Sequence, residues 1–478
     1  MEALEWATES FLQAATELET EVHKETTYWN EIISISQRGW SIQRFGRDSR
    51  HSPFAVRYGF PEASDHFKAR GLAPLRMNND GGIILDPALA LKPKTLRVRI
   101  SNNGKIVGMS CLPVQVQTTG VAVEKSIQLA RDSLFEEELY HEVSLEVRQL
   151  LAYGAELRDS VIALPAPGLT HDSAARKVLI DCIARDDDAL GSQDHSETLL
   201  AQHVAEALRL LLTHEHRMRL FRRSQLPSPL TPQKRARENP PLLRTLLAVL
   251  SHINAVDILQ AYLTRAAGTL ESAGFSVSLQ TTRETSWVKL TTMIAESTRK
   301  DLSSVDQLLE VFSRPFDGLA TLSLPSSELE SEKITIATRT FFGIPTFGTE
   351  HKITLPPSLV SVLNLSQDQK REFRFPSVEE VISYLDWILS LDLSHTLLTK
   401  EYASRAIIIS KDPRVNVLYR AGKETKQKDV AVNFADGRLK LTVGNNTPPD
   451  DVYAEQTFTW DGTREKRTFK ENLKSLVG

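Results

Sequence analysis

The densest set of oxygen ligands in this 478-residue chain is the run from Asp186 to Glu197, DDDALGSQDHSE. Laid on a calcium-binding loop, it puts Asp186, Asp188, Asp194 and Glu197 at positions 1, 3, 9 and 12, and Gly191 at the sharp turn of position 6. Two departures count against that chemistry. Leu190 supplies no oxygen at the fifth position, and Gln193 stands at the eighth, where an apolar side chain is wanted. The entering helix is also missing, because Arg176 to Ala184 alternates like a strand. A solvated acidic loop that ends in a helix cap at Asp194 or Ser196 accounts for the same residues. Glu138-Leu139-Tyr140-His141 has the Glu-x-x-His spacing of a di-iron helix, but such sites need a second copy and two further glutamates. Glu138 and His141 are therefore expected as polar contacts at a helix interface. His214 and His216, two apart on a helix, point to different faces and form no ligand pair.

Nucleophile chemistry fares no better. The chain has no G-x-S-x-G, P-loop, H-E-x-x-H or strand-following G-x-G-x-x-G. Cys111 and Cys182 are its two cysteines, far apart and outside any ligand spacing, which favours a reducing compartment. No catalytic residue, cofactor or metal is assigned, and an enzyme with an unrecognised site stays open as an alternative. A second alternative is a nucleic-acid-binding factor that works through the basic stretch 214–237: Arg217, Arg219, Arg222, Arg223, Lys234, Arg235 and Arg237. With 57 Lys and Arg against 61 Asp and Glu, the net charge of −4 does not support that role for the chain as a whole. Lys234, Arg235 and Arg237 lie between prolines, where they suit a nuclear localisation signal. Phe341-Phe342-Gly343-Ile344-Pro345 and Trp460 are candidate contact anchors, though core positions at strand ends suit them better.

The elements around these residues read as an α+β multi-domain protein. Residues 1–36 form a coiled-coil-type helix. One line of its seam is Leu4, Phe11, Leu18 and Ile32, and the other is Ala15, Val22 and Trp29, with Thr8 and Glu25 interrupting. These seven apolar residues are the candidate partner-binding set. Residues 37–118 form a strand-rich hairpin segment, in which Asn79-Asp80-Gly81-Gly82 and Asn102-Asn103-Gly104 supply tight turns. There, Leu96, Val98 and Ile100 alternate with Arg97 and Arg99. Residues 119–223 are a helical region with the acidic loop inside it. A helix is expected from Val121 to about Arg158, a strand pair at 161–164 and 177–182, and a helix from Ser196 to about Arg223. Residues 224–241 are a proline-rich basic linker.

Residues 242–318 are a further helical region: two helices broken near 254–257, then a helix over Trp287–Phe312. Residues 319–478 form a C-terminal α/β domain with a helix near 378–398 and a hairpin turning at Ala435-Asp436-Gly437. A second hairpin is expected at Asp461-Gly462, leading into the basic run Arg464–Arg467. No run approaches ~20 apolar residues, so no membrane span is expected. The acidic N-terminus lacks the order of a signal peptide, so Asn364-Leu365-Ser366 and Asn445-Asn446-Thr447 match the glycosylation pattern by coincidence.

Several stretches of the first third carry a likeness: Trp29 with Gly39-Trp40, VRYGFPEA (Val56–Ala63), FKARGLAPLR (Phe67–Arg76), DGGIILD (Asp80–Asp86), LRVRI (Leu96–Ile100) and ARDSLFEEELYHEV (Ala130–Val143). With them the chain resembles the fungal form of the Mediator subunit 17 family. That resemblance implies a non-enzymatic scaffold of the head module of a transcriptional coactivator, working in the nucleus. It implies helices of head subunits 11 and 22 on the N-terminal helix, and subunits 8, 6 and 18 on other parts. RNA polymerase II would be reached through the assembled complex, with no membrane and no direct sequence-specific nucleic acid.

Overall fold

The computed structural model describes residues 2–44, 54–85, 93–111, 122–165, 176–184, 197–224, 241–283, 317–326, 332–341, 348–363, 371–403, 405–408, 412–421, 424–445, 456–463 and 467–477. They form an α+β protein of two compact units, dividing between Leu246 and Leu247.

The first unit opens with helix α1 (Glu2–Gln37), then strands β1 (Ser41–Arg44) and β2 (Phe54–Arg57), helix α2 (Asp65–Arg70), and strands β3 (Leu72–Met77) and β4 (Ile83–Leu85). The four strands make one antiparallel sheet in sequence order. Two glycines from the family-like motifs explain how the chain crosses itself here. The N–H groups of Tyr58 and Gly59 both donate to the carbonyl of Gly71. A Cβ on either glycine would come within 2.7 Å of the other's backbone, so no larger residue fits.

Strands β5 (Lys94–Asn102) and β6 (Lys105–Met109) follow, then α3 (Ala122–Val147), β7 (Glu156–Arg158), β8 (Val161–Pro165), β9 (Arg176–Ala184) and α4 (Thr198–Ser224). The β5–β6 turn places Asn103 and Gly104 at φ 51° and 80°, the left-handed pair a two-residue hairpin requires. The strands form a sheet in the order β6-β5-β9-β8-β7. Leu96, Val98 and Ile100 are buried within it, while Arg97 and Arg99 both reach Asp181 on β9. The predicted strand pair is β8 and β9. The helix expected to run to Arg158 stops at Val147. After a short 3-10 turn at Leu151–Tyr153, Gly154 adopts φ 76°, a conformation that ends helices, and β7 begins.

The second unit holds most of α5 (Leu242–Ser272), a sheet of β10 (Leu279–Arg283), β11 (Asp317–Ser323), β12 (Lys333–Phe341), β13 (Gly348–Thr354) and β14 (Glu372–Phe375), helix α6 (Val378–Leu391), a sheet of β15 (Ala406–Ile408), β16 (Arg414–Ala421), β17 (Glu424–Ala435), β18 (Arg438–Asn445) and β19 (Gln456–Trp460), and helix α7 (Phe469–Val477). Ser377 Oγ accepts from Glu380 N–H at the start of α6, and Thr468 and Glu471 cap α7 reciprocally. The β17–β18 hairpin pairs Val430 with Val443, Val432 with Leu441 and Phe434 with Leu439.

Two expectations change in this unit. Helix α5 is unbroken, because Asn254 and Asp257 sit at half-exposed positions while Ala255 and Leu259 keep the buried stripe going. It is also long and apolar enough by length and composition to cross a membrane. Its Leu259, Tyr262, Leu263, Ala266 and Leu270 are instead built into this unit's own core. Of the hairpin expected at Asp461-Gly462, the return run at 464–466 lies outside the described residues; at the turn, Asp461 accepts from Thr463. Trp460 is a core residue, fully buried with its Nε1 donating to Arg467 O. Because β10 pairs with β11, the segment read as residues 242–318 shares a sheet with the one that follows. The helix expected over 287–312 lies outside the described residues.

Candidate functional site

The feature that stands out against this fold is α1, which among the described residues is anchored at one end only. Tyr28, Ile32 and Ile35 are buried with Trp40, Val56, Tyr58, Leu75 and Ile127 in the first unit's core. Tyr28 Oη donates to Leu75 O, and Glu31 Oε2 accepts from Ile83 N–H at 2.6 Å. The β3–β4 turn rests on the helix, since a Cβ on Gly81 would lie 2.7 Å from Lys24 backbone atoms. The ring of Trp29 meets Phe54 edge-on, with centroids 5.5 Å apart. These contacts hold the helix from Lys24 onward.

Before Lys24 the apolar residues face solvent. Leu4 and Phe11 are 74% and 76% exposed, Leu18 is 66% exposed, and Val22 and Ala15 are exposed as well. The stripe continues over the anchored part through Trp29 and Ile33, and Leu18, Val22, Thr26 and Trp29 line a shallow apolar hollow on it. Ile32, expected to face partners, is only 6% exposed and belongs to the core. A straight α-helix drifts by about 20° per heptad against a strict seven-residue repeat. Over the four heptads from Leu4, that drift turns Ile32 inward and brings Ile33 onto the open face. Ile33 could have been found in the sequence, four residues after Trp29. Trp6 and Leu12 are also exposed, off the main line. Of the two interruptions, Thr8 Oγ1 donates to backbone carbonyls of its own helix, and Glu25 accepts from Trp29 Nε1.

The other candidates disperse. Glu138 is buried between α3 and α4, with Arg219 Nη1 3.1 Å and His216 Nε2 3.2 Å from its carboxylate and Ser64 N–H donating to it. Burial works to raise its pKa; His216, Ser64 and Arg219 together outweigh that and hold it below the usual carboxylate range. His141 lies elsewhere, against the rings of Phe67 and His66. Arg219 also reaches Glu142 and Glu215, and Arg223 donates to Pro61 O. Two cations of the proposed nucleic-acid stretch are thus engaged inside the unit. Glu197 pairs with Arg176, whereas 186–196 lie outside the described residues, as do Lys234, Arg235 and Arg237. Among the described residues no group of His, Cys, Asp and Glu could hold a metal ion. Phe341 is half-exposed on β12, and 342–345 lie outside the described residues.

Comparison with known proteins points one way. The family model for subunit 17 of the Mediator complex matches residues 1–270. The chain is 34% identical over 357 residues to "Mediator of RNA polymerase II transcription subunit 17" of Aspergillus oryzae, covering 73% of this chain and 52% of that protein. It is 33% identical over 401 residues to the protein of that name from Emericella nidulans, covering 81% and 58%. The chain therefore spans about half the length of these curated relatives. A chain in the structure of the Schizosaccharomyces pombe Mediator head module superposes with a TM-score of 0.54 at 16% identity, covering 80% of this chain and 79% of that one, a likeness of fold. The motifs around Gly59 and Gly71, the anchored α1 and a family match over more than half the sequence agree: this chain belongs to the Mediator complex subunit 17 family.

Proposed function

We propose that this protein is a non-enzymatic scaffold subunit of the Mediator head module, acting in RNA polymerase II transcription. Family membership supports this, and the observation that carries it is the apolar stripe of α1, open to solvent from Leu4 to Val22 on a helix pinned at its other end. A lone helix gains little stability from its own propensity and needs a packed face. Partner helices would supply that face. On this reading, Leu4, Phe11, Ala15, Leu18, Val22 and Trp29, joined by Ile33, receive helices of head subunits 11 and 22. Subunits 8, 6 and 18 meet other surfaces, and polymerase is reached through the assembled complex.

Leu18→Asp or Val22→Asp puts a carboxylate in the centre of the stripe without touching the core. Tagged protein bearing either change is expected to lose subunits 11 and 22 on purification from cells; their retention at full stoichiometry would overturn the reading. The same proposal places the protein in the nucleus, with Lys234, Arg235 and Arg237 read by an import receptor. Replacing these three by alanine is expected to lower nuclear accumulation of the chain expressed without its partners, as seen by fluorescence imaging.

A further inference from the structure

We infer that the occupant of the open α1 face is a long amphipathic helix whose apolar seam is flanked by lysine and arginine. This rests on the scaffold reading and adds the chemistry of the partner. Between Glu2 and Val22 the helix carries Glu2, Glu5, Glu9, Glu17, Glu19 and Glu21, and not one lysine, arginine or histidine. On helical geometry Glu5 and Glu19 border the stripe on one side and Glu21 on the other, the positions from which charges reach across to a partner helix. The first cation after them, Lys24, is paired with Glu21, Nζ to Oε1 2.8 Å. The open face is thus an apolar line with Glu5 and Glu19 on one margin and Glu21 on the other, and no cation on either margin before Lys24.

That pattern selects among occupants. A second copy of this chain brings no cation to those glutamates, since its own helix carries none from Glu2 to Val22, and an antiparallel pair sets Glu5 against Glu19, which repels. An anionic membrane would be repelled for the same reason, since helices that lie on lipid carry cations on their polar face. A helix with basic margins gains at both levels: it covers the stripe and neutralises its borders. From Leu4 to Trp29 the stripe extends 25 residues, roughly 38 Å at 1.5 Å per residue, so the occupant needs about seven turns. Charge matching of this kind sets specificity and association rate more than affinity, and salt screens it.

The test uses the full chain and two synthetic helical peptides with the same apolar seam, one flanked by lysine and the other by glutamate, read by fluorescence anisotropy. The lysine peptide is expected to bind at least about tenfold more tightly at low salt, the gap closing as salt shortens the screening length to about 3 Å at 1 M. The variant Glu5→Lys, Glu19→Lys, Glu21→Lys, at exposed positions, is expected to reverse the order. Equal binding of both peptides, preference for the glutamate peptide, dimerisation of the chain at low salt, or tighter binding to anionic vesicles would each overturn the inference. Leu18→Asp separates the two claims. If it releases the head subunits while wild type does not discriminate between the peptides, the charge inference fails and the scaffold reading stands. If the subunits stay bound, the scaffold reading itself falls.

Discussion

His351 shows how a single residue ties this protein's stability to pH. It is buried on β13, with Nδ1 3.1 Å from Thr338 Oγ1 on the neighbouring strand. Burial first, then the nearby His252, push its pKa down to about 4, with Glu379 acting weakly the other way. The unfolded imidazole takes up its proton near pH 6.5, the folded one only near pH 4, so unfolding binds a proton between those values. The contribution is complete above pH 6.5 and falls as the pH drops. Asp392 opposes it. Burial lifts its carboxyl to about 6 against two hydrogen bonds from Ser326, so its contribution is present at low pH and lost as the pH rises through 6. The two partly cancel in wild type, and a variant is needed to separate them. His351→Gln is expected to lose roughly 2–3 kcal/mol less than wild type between pH 7.5 and 4.5, at about 1.4 kcal/mol per pKa unit, in urea denaturation. Parallel losses in the two proteins would show that His351 is not held neutral by its site.

Elements were legible wherever their cause is local. Asn103-Gly104 and Asp436-Gly437 announce their hairpins because two successive left-handed residues are a property of the turn itself. The alternation of Leu96, Val98 and Ile100 with two arginines likewise gave β5 and its buried face. What the sequence hid depends on contacts between distant segments. Nothing before Gly154 marks the end of α3, since the apolar line continues in composition past the last turn. Asn254 and Asp257 looked like a break in α5 but are tolerated because the buried stripe passes beside them. Gly59 and Gly71 were visible as motif residues, yet their reason is a backbone crossing that only the folded chain supplies. The candidate site divides in the same way: the seam of α1 could be read from spacing, whereas the inward turn of Ile32 follows from helix drift and from where the β3–β4 hairpin grips.

At the scale of the molecule, each unit carries a core cluster of its own residues, and we predict that the cluster of the second unit can be weakened without loosening the first. One core cluster runs from Tyr28 to Leu134 in the chain, and the other begins at Ala255 and ends at Leu473. Leu441, fully buried on β18 opposite Val432, is the place to test this. Leu441→Ala removes three carbons from a packed sheet and leaves a cavity, at a cost of about 2–5 kcal/mol. Hydrogen exchange is expected to speed up in β16 to β19 and α6. Amides of β1 to β5 should keep wild-type protection, and capture of helical partners by α1 should not change. If protection instead falls by the same factor in both units, they unfold together. Purification losses seen with Leu18→Asp would then need a control for global stability before they could be assigned to the docking face.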